Sequence, residues 1–491
     1  MKESQLGFSS SEELIHSLLK SSSSSTIDEA LEILIRTSKT ANGRADLASK
    51  HILPTVLQLC GSVSQFSNQH LLIPSLKLLR NLCAGEIVNQ NYFIEQGGVR
   101  IISSILETWG PVSDLEYGVI RMGLQVLANV ALAGNEQQRV IWDHFFPDGF
   151  VGLARIRRRE TCDPLCMIIY TCCNGDSTLL AELCGDCSLS VVMEIVHTAS
   201  EVGFREDWLK ILLSRVCFEE FCFSPLFLKL CPNDAPKGDE NVPSRNACFS
   251  LEQGFLLRIL TEIVNERIGE ISISGGVALS ILGIFKRVLG VINFDSRASS
   301  GLPSGSVEID VLGYALAILR DICAHGGCPG LMDDSQDAID LLLSAGLLEL
   351  LLCLLKDLEP PAIIRKAVSQ SDYSQTTSEK PKLCPYKGFR RDIVAVIGNC
   401  LYQRKHAQDE IRQRNGIFLL LQQCVTDEEN PFLREWGIWS IRNLLEGNED
   451  NQKVVADLEL QGSVDVPELA GLGLRVEVDQ KTRRAKLVNV P

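Results

Sequence analysis

Along most of the chain the apolar residues return at helical spacing. Ile393, Ile397, Cys400 and Leu401 fall at i, i+4, i+7 and i+8, and Ile417, Leu420, Leu421 and Cys424 at i, i+3, i+4 and i+7, which places each set on one face of an α-helix. The helical text itself recurs. LKLLRNLCAGEIVNQNYFIEQGG begins at Leu76, LQVLANVALAGNEQQRVIW at Leu124, YALAILRDICAHGG at Tyr314, IVAVIGNCLYQRKHAQDEIRQRNG at Ile393 and IWSIRNLLEGNEDNQKVVADLELQG at Ile438. In each, a long apolar helix ends in Asn or Asp, a polar turn and a short amphipathic helix follow, and usually a Gly stops that helix. The anchor residues are Asn81, Asn129, Asp321, Asn399 and Asn443.

Asn81 to Asn129 is 48 residues and Asn399 to Asn443 is 44, while Asp321 to Asn399 is 78, one period stretched by an insertion. Periods of this size mark helical solenoids of the armadillo or HEAT kind, in which no single unit buries its apolar face alone. Polar and Pro-, Ser- or Gly-rich stretches break the pattern. They predict a Ser-rich flexible tail over 1–28, repeats over 29–230, a polar loop over 231–249, and repeats over 250–368 interrupted by a mobile connection at 295–306. A flexible loop over 369–387, C-terminal repeats over 388–461 and a hairpin with tail over 462–491 complete the division. At the end the period becomes two: Leu474, Val476 and Val478 alternate with Arg475 and Glu477, Asp479 to Thr482 read as a turn, and Ala485, Leu487 and Asn489 alternate again. That is the pattern of a two-stranded hairpin, suited to capping a terminal repeat.

The repeat grammar resembles armadillo repeats, most closely in residues 76–106. In residues 389–461 the resemblance narrows to the C-terminal domain of the ataxin-10 family, carried by NPFLREW at Asn430 to Trp436 and IRNLLEGNEDNQ from Ile441. The fold class implied is all-α, an armadillo-like right-handed α-solenoid of about eight to ten repeats with a small C-terminal β-hairpin. The ataxin-10 resemblance implies an intracellular scaffold or adaptor that helps regulate cytokinesis and the growth or survival of developing tissue. It also implies self-association and signalling or cell-division enzymes as partners. Armadillo proteins line a concave groove with Asn from each long helix, whose amide holds an extended peptide. On that pattern Asn81, Asn129, Asn399, Trp439 and Asn443 are the candidate partner-binding residues. Trp439 stands four residues before Asn443, the spacing of importin-type peptide grooves, but Lys77, Gln125 and Ala395 occupy the corresponding places before Asn81, Asn129 and Asn399.

Composition narrows the partners. Over 491 residues, 47 Lys and Arg face 62 Asp and Glu, a net charge of −15, which repels phosphate backbones and argues against nucleic acid. The 18 cysteines are too dilute for a secreted disulfide scaffold, the first twenty residues lack the apolar stretch of a signal peptide, and no apolar run reaches the length of a membrane span. A cytosolic protein that needs no membrane and no cofactor is expected. No Walker-type loop, HExxH, GxSxG or kinase signature occurs, so an enzyme is not expected.

Two clusters could still carry chemistry. Cys162, Cys166, Cys172, Cys173, Cys184 and Cys187 include one CxxC pair, the minimum for a zinc or redox reading. Spacings such as Cys162 to Cys166 equally fit buried thiols on a helix face. ARIRRRE, with arginines at 155 and 157–159, would serve an acidic partner or lie on a solvated helix face. Finally, Asn430 and Pro431 read as the N-cap and first residue of the last long helix.

Overall fold

The computed structural model describes residues 24–63, 69–108, 114–231, 248–267, 269–295, 301–325, 337–369, 381–458, 474–478 and 485–489. The tail over 1–23, most of the polar loop, residues 296–300, residues 370–380 and the hairpin turn lie outside them. Two compact units divide the chain, 1–277 and 278–491.

In the first unit α1 (Ser24–Thr37) precedes successive helix triplets. They are α2 (Ala41–Ser49), α3 (Ile52–Val63) and α4 (Leu72–Leu82), then α5 (Ile87–Glu95), α6 (Gly98–Thr108) and α7 (Asp114–Ala131). Next come α8 (Asn135–Phe145), α9 (Asp148–Ala154) and α10 (Arg159–Asn174), then α11 (Ser177–Leu183), α12 (Ser190–Val202) and α13 (Asp207–Ser214). A π-turn over Arg215–Glu219 continues α13, and α14 (Phe223–Lys229) and α15 (Leu251–Glu266) follow. The division between the units falls in α16 (Gly275–Leu289). The second unit holds α17 (Val307–His325), α18 (Ala338–Ser344), α19 (Leu347–Asp357), α20 (Ala362–Ser369), α21 (Phe389–Leu401), α22 (Lys405–Gln413), α23 (Gly416–Leu421), α24 (Leu433–Leu445) and α25 (Glu449–Ala456). Strand β1 (Leu474–Val478) pairs antiparallel with β2 (Ala485–Asn489), Val476 opposite Leu487.

The last helix of each triplet carries the period. Within the first unit α4 packs on α7, α7 on α10 and α10 on α13; within the second α17 packs on α21 and α21 on α24. Their apolar stripes are fully buried: Leu76, Leu79 and Leu82 in α4, Leu124, Leu127 and Val130 in α7, and Ile393, Ile397 and Cys400 in α21 show 0% exposure. Burying a Leu or Ile stabilises by about 1.5 to 3 kcal/mol, so the stripe that marks the helix in the sequence is also what fastens it to its neighbours. Four residues past three of the anchors the chain turns left-handed, at Gly85 (φ 66), Gln403 (φ 55) and Gly447 (φ 68).

Small residues set how closely α24 approaches α21 and the segment that follows α23. A Cβ on Gly398 would stand 2.5 Å from Ser440 Oγ, and one on Gly437 would stand 2.6 Å from the carbonyl oxygen of Gln423 and 2.9 Å from the amide nitrogen of Cys424. Ser440 Oγ donates to the carbonyl of Val394, at 3.0 Å.

Local sequence rules fail at three places. The last long helix begins at Leu433, and Asn430 is not its cap: Asn430 Oδ1 accepts from the backbone N–H of Arg390 at 3.0 Å, and its Nδ2 donates to Asp427 at 3.0 Å. The distant partner wins over local capping because Arg390 is itself buried, donating to Gln423 Oε1 at 3.1 Å and to the carbonyl of Glu359. Residues 381–387, placed in a flexible loop by composition, instead return to the core. Lys382 exchanges backbone hydrogen bonds with Asp357 and Glu359, and Cys384 and Tyr386 are buried. Within the connection at 295–306, residues 304–306 form a hydrogen-bonded cap on α17. There Asp310 Oδ1 accepts from Ser304 N at 2.6 Å and Ser304 Oγ at 2.8 Å.

Two glycine substitutions separate packing from backbone strain. Gly437→Ala meets main-chain atoms that cannot step aside and should cost about 2 to 3 kcal/mol. Gly447→Ala meets nothing within 4 Å but must hold a left-handed φ, costing about 1 kcal/mol. Urea denaturation ranks them; equal costs would mean that the segment at 423–424 yields.

Candidate partner-binding face

The anchor asparagines tie one repeat to the one before. Asn129 Nδ2 donates to the carbonyl of Arg80 at 2.9 Å, Asn399 Nδ2 to that of Arg320 at 3.1 Å, and Asn443 Nδ2 to that of Gly398 at 2.9 Å. In every case the acceptor belongs to the residue immediately before the preceding anchor. Asn81 donates to Ser38 Oγ at 3.1 Å and accepts from Arg80 at 3.0 Å. Asn399 is 8% exposed and Asn443 1%, so these amides join helices.

A second set of amides was missed from the sequence, although its signal is there. Nine residues after Asn81, Asn129, Asn399 and Asn443 stand Gln90, Gln138, Gln408 and Gln452. Each donates seven residues back, to the carbonyls of Cys83 (3.0 Å), Ala131 (2.9 Å), Leu401 (3.3 Å) and Leu445 (2.8 Å). These are last-turn carbonyls of the long helices, which have no partner within their own helix. Gln90 and Gln408 also reach forward to the carbonyls of the next anchors, Asn129 and Asn443, both at 2.8 Å.

The Trp–Asn pattern does not extend into an array. Gln125 accepts from Arg80 at 2.9 Å, Ala395 is fully buried, and Trp439 alone of these positions offers an aromatic face. Phe432, the residue before α24, is 68% exposed in a left-handed conformation, and on α24 Trp439 is 41% exposed with the Arg442 guanidinium 4.9 Å above its ring. Elsewhere on α17 and α21 ion pairs form: Arg391 holds Asp392 at 2.7 Å, and Arg320 holds Asp321 at 2.8 Å and approaches Asp392 at 3.7 Å. Tyr386 donates to Asp392 at 2.9 Å, and burial together with that carboxylate pushes its phenol well above the usual range. The face thus presents one aromatic site with a charged flank.

The other two clusters resolve into packing. The arginines at 155 and 157–159 span the turn from α9 to α10 and clamp neighbouring helices. Arg155 and Arg157 meet Glu194 at 3.1 and 3.2 Å, Arg158 lies 4.0 Å over the Tyr117 ring, and Arg159 pairs with Glu206. Cys162, Cys166, Cys172 and Cys173 are buried in α10 as free thiols, Cys184 is half-buried and Cys187 exposed. Burial pushes the Cys162 and Cys172 thiols up to about 12 and raises Cys166 and Cys173 as well, so the reactive thiolate is disfavoured at neutral pH. Among the described residues no three His, Cys, Asp or Glu side chains converge to hold a metal ion.

Stacked long helices with amide joints between them define an armadillo-like helical-repeat protein. The C-terminal part of the chain matches the ataxin-10 domain, and the chain resembles ataxin-10 along most of its length. Residues 389–488 match the family described as the Spinocerebellar ataxia type 10 protein domain. The chain is 25% identical to Ataxin-10 of Xenopus tropicalis over 458 residues, covering 88% of this chain and 86% of the relative. It is 39% identical to the Ataxin-10 homolog of Dictyostelium discoideum over 105 residues, which covers 21% of this chain and 17% of the relative. A designed armadillo repeat protein superposes with a TM-score of 0.35 at 16% identity, over 50% of this chain and 98% of the designed one.

Gln408→Ala strips the carbonyls of Leu401, Asn443 and Glu446 of one donor and should destabilise the second unit by about 1 to 3 kcal/mol. Hydrogen exchange should accelerate in α22 and at the end of α24 together. Acceleration confined to α22 would mean that Gln408 does not join the repeats.

Proposed function

We propose that the chain is a non-catalytic scaffold or adaptor that acts through protein–protein interaction. On this reading it holds signalling or cell-division enzymes in the cytosol, self-associates, and contributes to cytokinesis and to growth or survival during development. The ataxin-10 resemblance supports the biological setting. The observation that carries a binding role is the α24 site, where Trp439 stays exposed beside Arg442 and Phe432 is exposed at the N-terminal end of the helix. Exposed aromatics flanked by charge are the composition of protein-interaction hot spots. The candidate residues divide accordingly. Trp439 offers contact area, whereas Asn81, Asn129, Asn399 and Asn443 support the partner indirectly by holding the long helices in register.

Proximity labelling in cells tests this with a Phe432→Ala, Trp439→Ala variant whose helical circular dichroism matches that of the unaltered chain. Loss of a subset of labelled proteins, including enzymes of cell division or signalling, with more binucleate cells, is the expected result. An unchanged set of labelled proteins would remove α24 as the contact site.

A further inference from the structure

At the joint between α17 and α21 two thiols meet. Cys323 in the last turn of α17 and Cys400 in the last turn of α21, 77 residues apart along the chain, bring their Sγ atoms to 3.5 Å. Both side chains are buried, with 3% and 0% exposure. The repeat defines their places: Cys323 stands two residues past the anchor Asp321, and Cys400 one past the anchor Asn399. The same two places hold Cys83 and Val130 for the α4–α7 joint, and Leu401 and Leu444 for the α21–α24 joint. Of these three joints, α17–α21 is the one with sulfur on both sides.

The end of α17 is also tied differently from the ends of α4, α7, α21 and α24. Its anchor is an Asp, which has no amide to donate, and Gly330 stands nine residues later where the other four have Gln. Asp321 Oδ2 is buried without a hydrogen-bond partner among the described residues, and His325 Nδ1 lies 2.9 Å from the Asp321 carbonyl oxygen. Across the joint, Asn399 Nδ2 still holds the carbonyl of Arg320 at 3.1 Å and keeps the two helices in register. Fewer ties lower the free energy of local opening at a helix end, and a small oxidant needs such an opening to reach buried sulfur. Contact with Cys400, together with burial, raises the Cys323 thiol well above its usual range, so reaction through a thiolate waits on that opening.

We propose that Cys323 and Cys400 are a reversible oxidation site, which peroxide closes to a disulfide joining α17 to α21. One sulfur attacks an oxygen of hydrogen peroxide, the O–O bond breaks, and a sulfenic acid and a water result. The other sulfur attacks the sulfenic sulfur, the S–S bond forms, and a second water leaves. Two electrons pass from the sulfurs to the peroxide, and both thiol protons end in water. The sulfurs close from 3.5 Å to about 2.0 Å. The product carries no charge, which suits a buried site, and it ties together residues far apart in the chain, restricting the unfolded state. In a reducing compartment such a bond is transient and reports on oxidants. The site concerns the α17–α21 joint and stands whether or not α24 binds a partner.

Treating the reduced full chain with hydrogen peroxide in native buffer, denaturing it in N-ethylmaleimide and mapping the peptides by tandem mass spectrometry tests this. A peptide pair joined through Cys323 and Cys400, two hydrogens lighter than the reduced peptides, should form in most chains and vanish with dithiothreitol. Hydrogen exchange at the ends of α17 and α21 should slow at least about fivefold on oxidation and recover on reduction. Cys323→Ala and Cys400→Ala should each abolish both effects, whereas Cys187→Ala, at an exposed thiol, should change neither. Mapping of the unaltered chain decides the point even where an alanine variant fails to fold. A cross-link that forms only in urea would be a product of the unfolded chain and would overturn the proposal. So would oxidation of the exposed Cys187 and Cys353 with Cys323 and Cys400 recovered as thiols, and so would a cross-link that leaves exchange in α17 and α21 unchanged.

Discussion

The structure depends on how the carbonyls of the long helices are satisfied. A helix ends with four carbonyls lacking partners of its own, and in a stack of helices water cannot reach all of them. At Asn129, Asn399 and Asn443, and at the glutamines nine residues past four of the anchors, side-chain amides meet this need. The anchor Asn reaches back to the preceding long helix, and the Gln nine residues later closes the end of its own helix and, at Gln90 and Gln408, grips the next anchor's carbonyl as well. Burial of the Leu and Ile stripes supplies most of the attraction between neighbours, but apolar contact is tolerant of sliding. The amides set the register.

This accounts for what was legible in the sequence. Helices, period and turns were visible because they rest on local spacing: apolar residues at three and four, a polar turn after the anchor, and Asn at the helix end. The anchors were seen, and their use was not. A concave groove and a helix joint ask for the same residue at the same place, and only the position of Arg80 or Gly398 in space separates them. The Gln residues stood at a constant distance from the anchors, yet a glutamine in a polar turn carries no mark of what it bonds to.

Elsewhere the sequence hid its meaning behind composition. Residues 381–387 read as loop because Lys and Pro surround them, yet Tyr386 is drawn inside by a hydrogen bond to Asp392 on the following helix. Asn430 obeys every local rule for a cap and is claimed by Arg390, forty residues earlier in the chain. The run of arginines read as a docking site or a solvated helix face because Glu194 and Glu206, which pair with it, are brought near only by the fold. Trp439, singled out from the sequence as a contact residue, is 41% exposed on α24.

The joints between repeats are therefore of two kinds. Beside α10, Arg159 meets Glu206 where both side chains are open to solvent, and such a contact weakens as the Debye length falls from about 10 Å at 0.1 M salt to about 3 Å at 1 M, whereas Glu194, held by Arg155 and Arg157, is buried. Between α21 and α24 the joint is made by neutral amides and a serine hydroxyl buried against main-chain oxygens, and ions in solution have little purchase on it. One chain thus contains a spring whose stiffness the ionic environment sets and a hinge-free segment that ignores it.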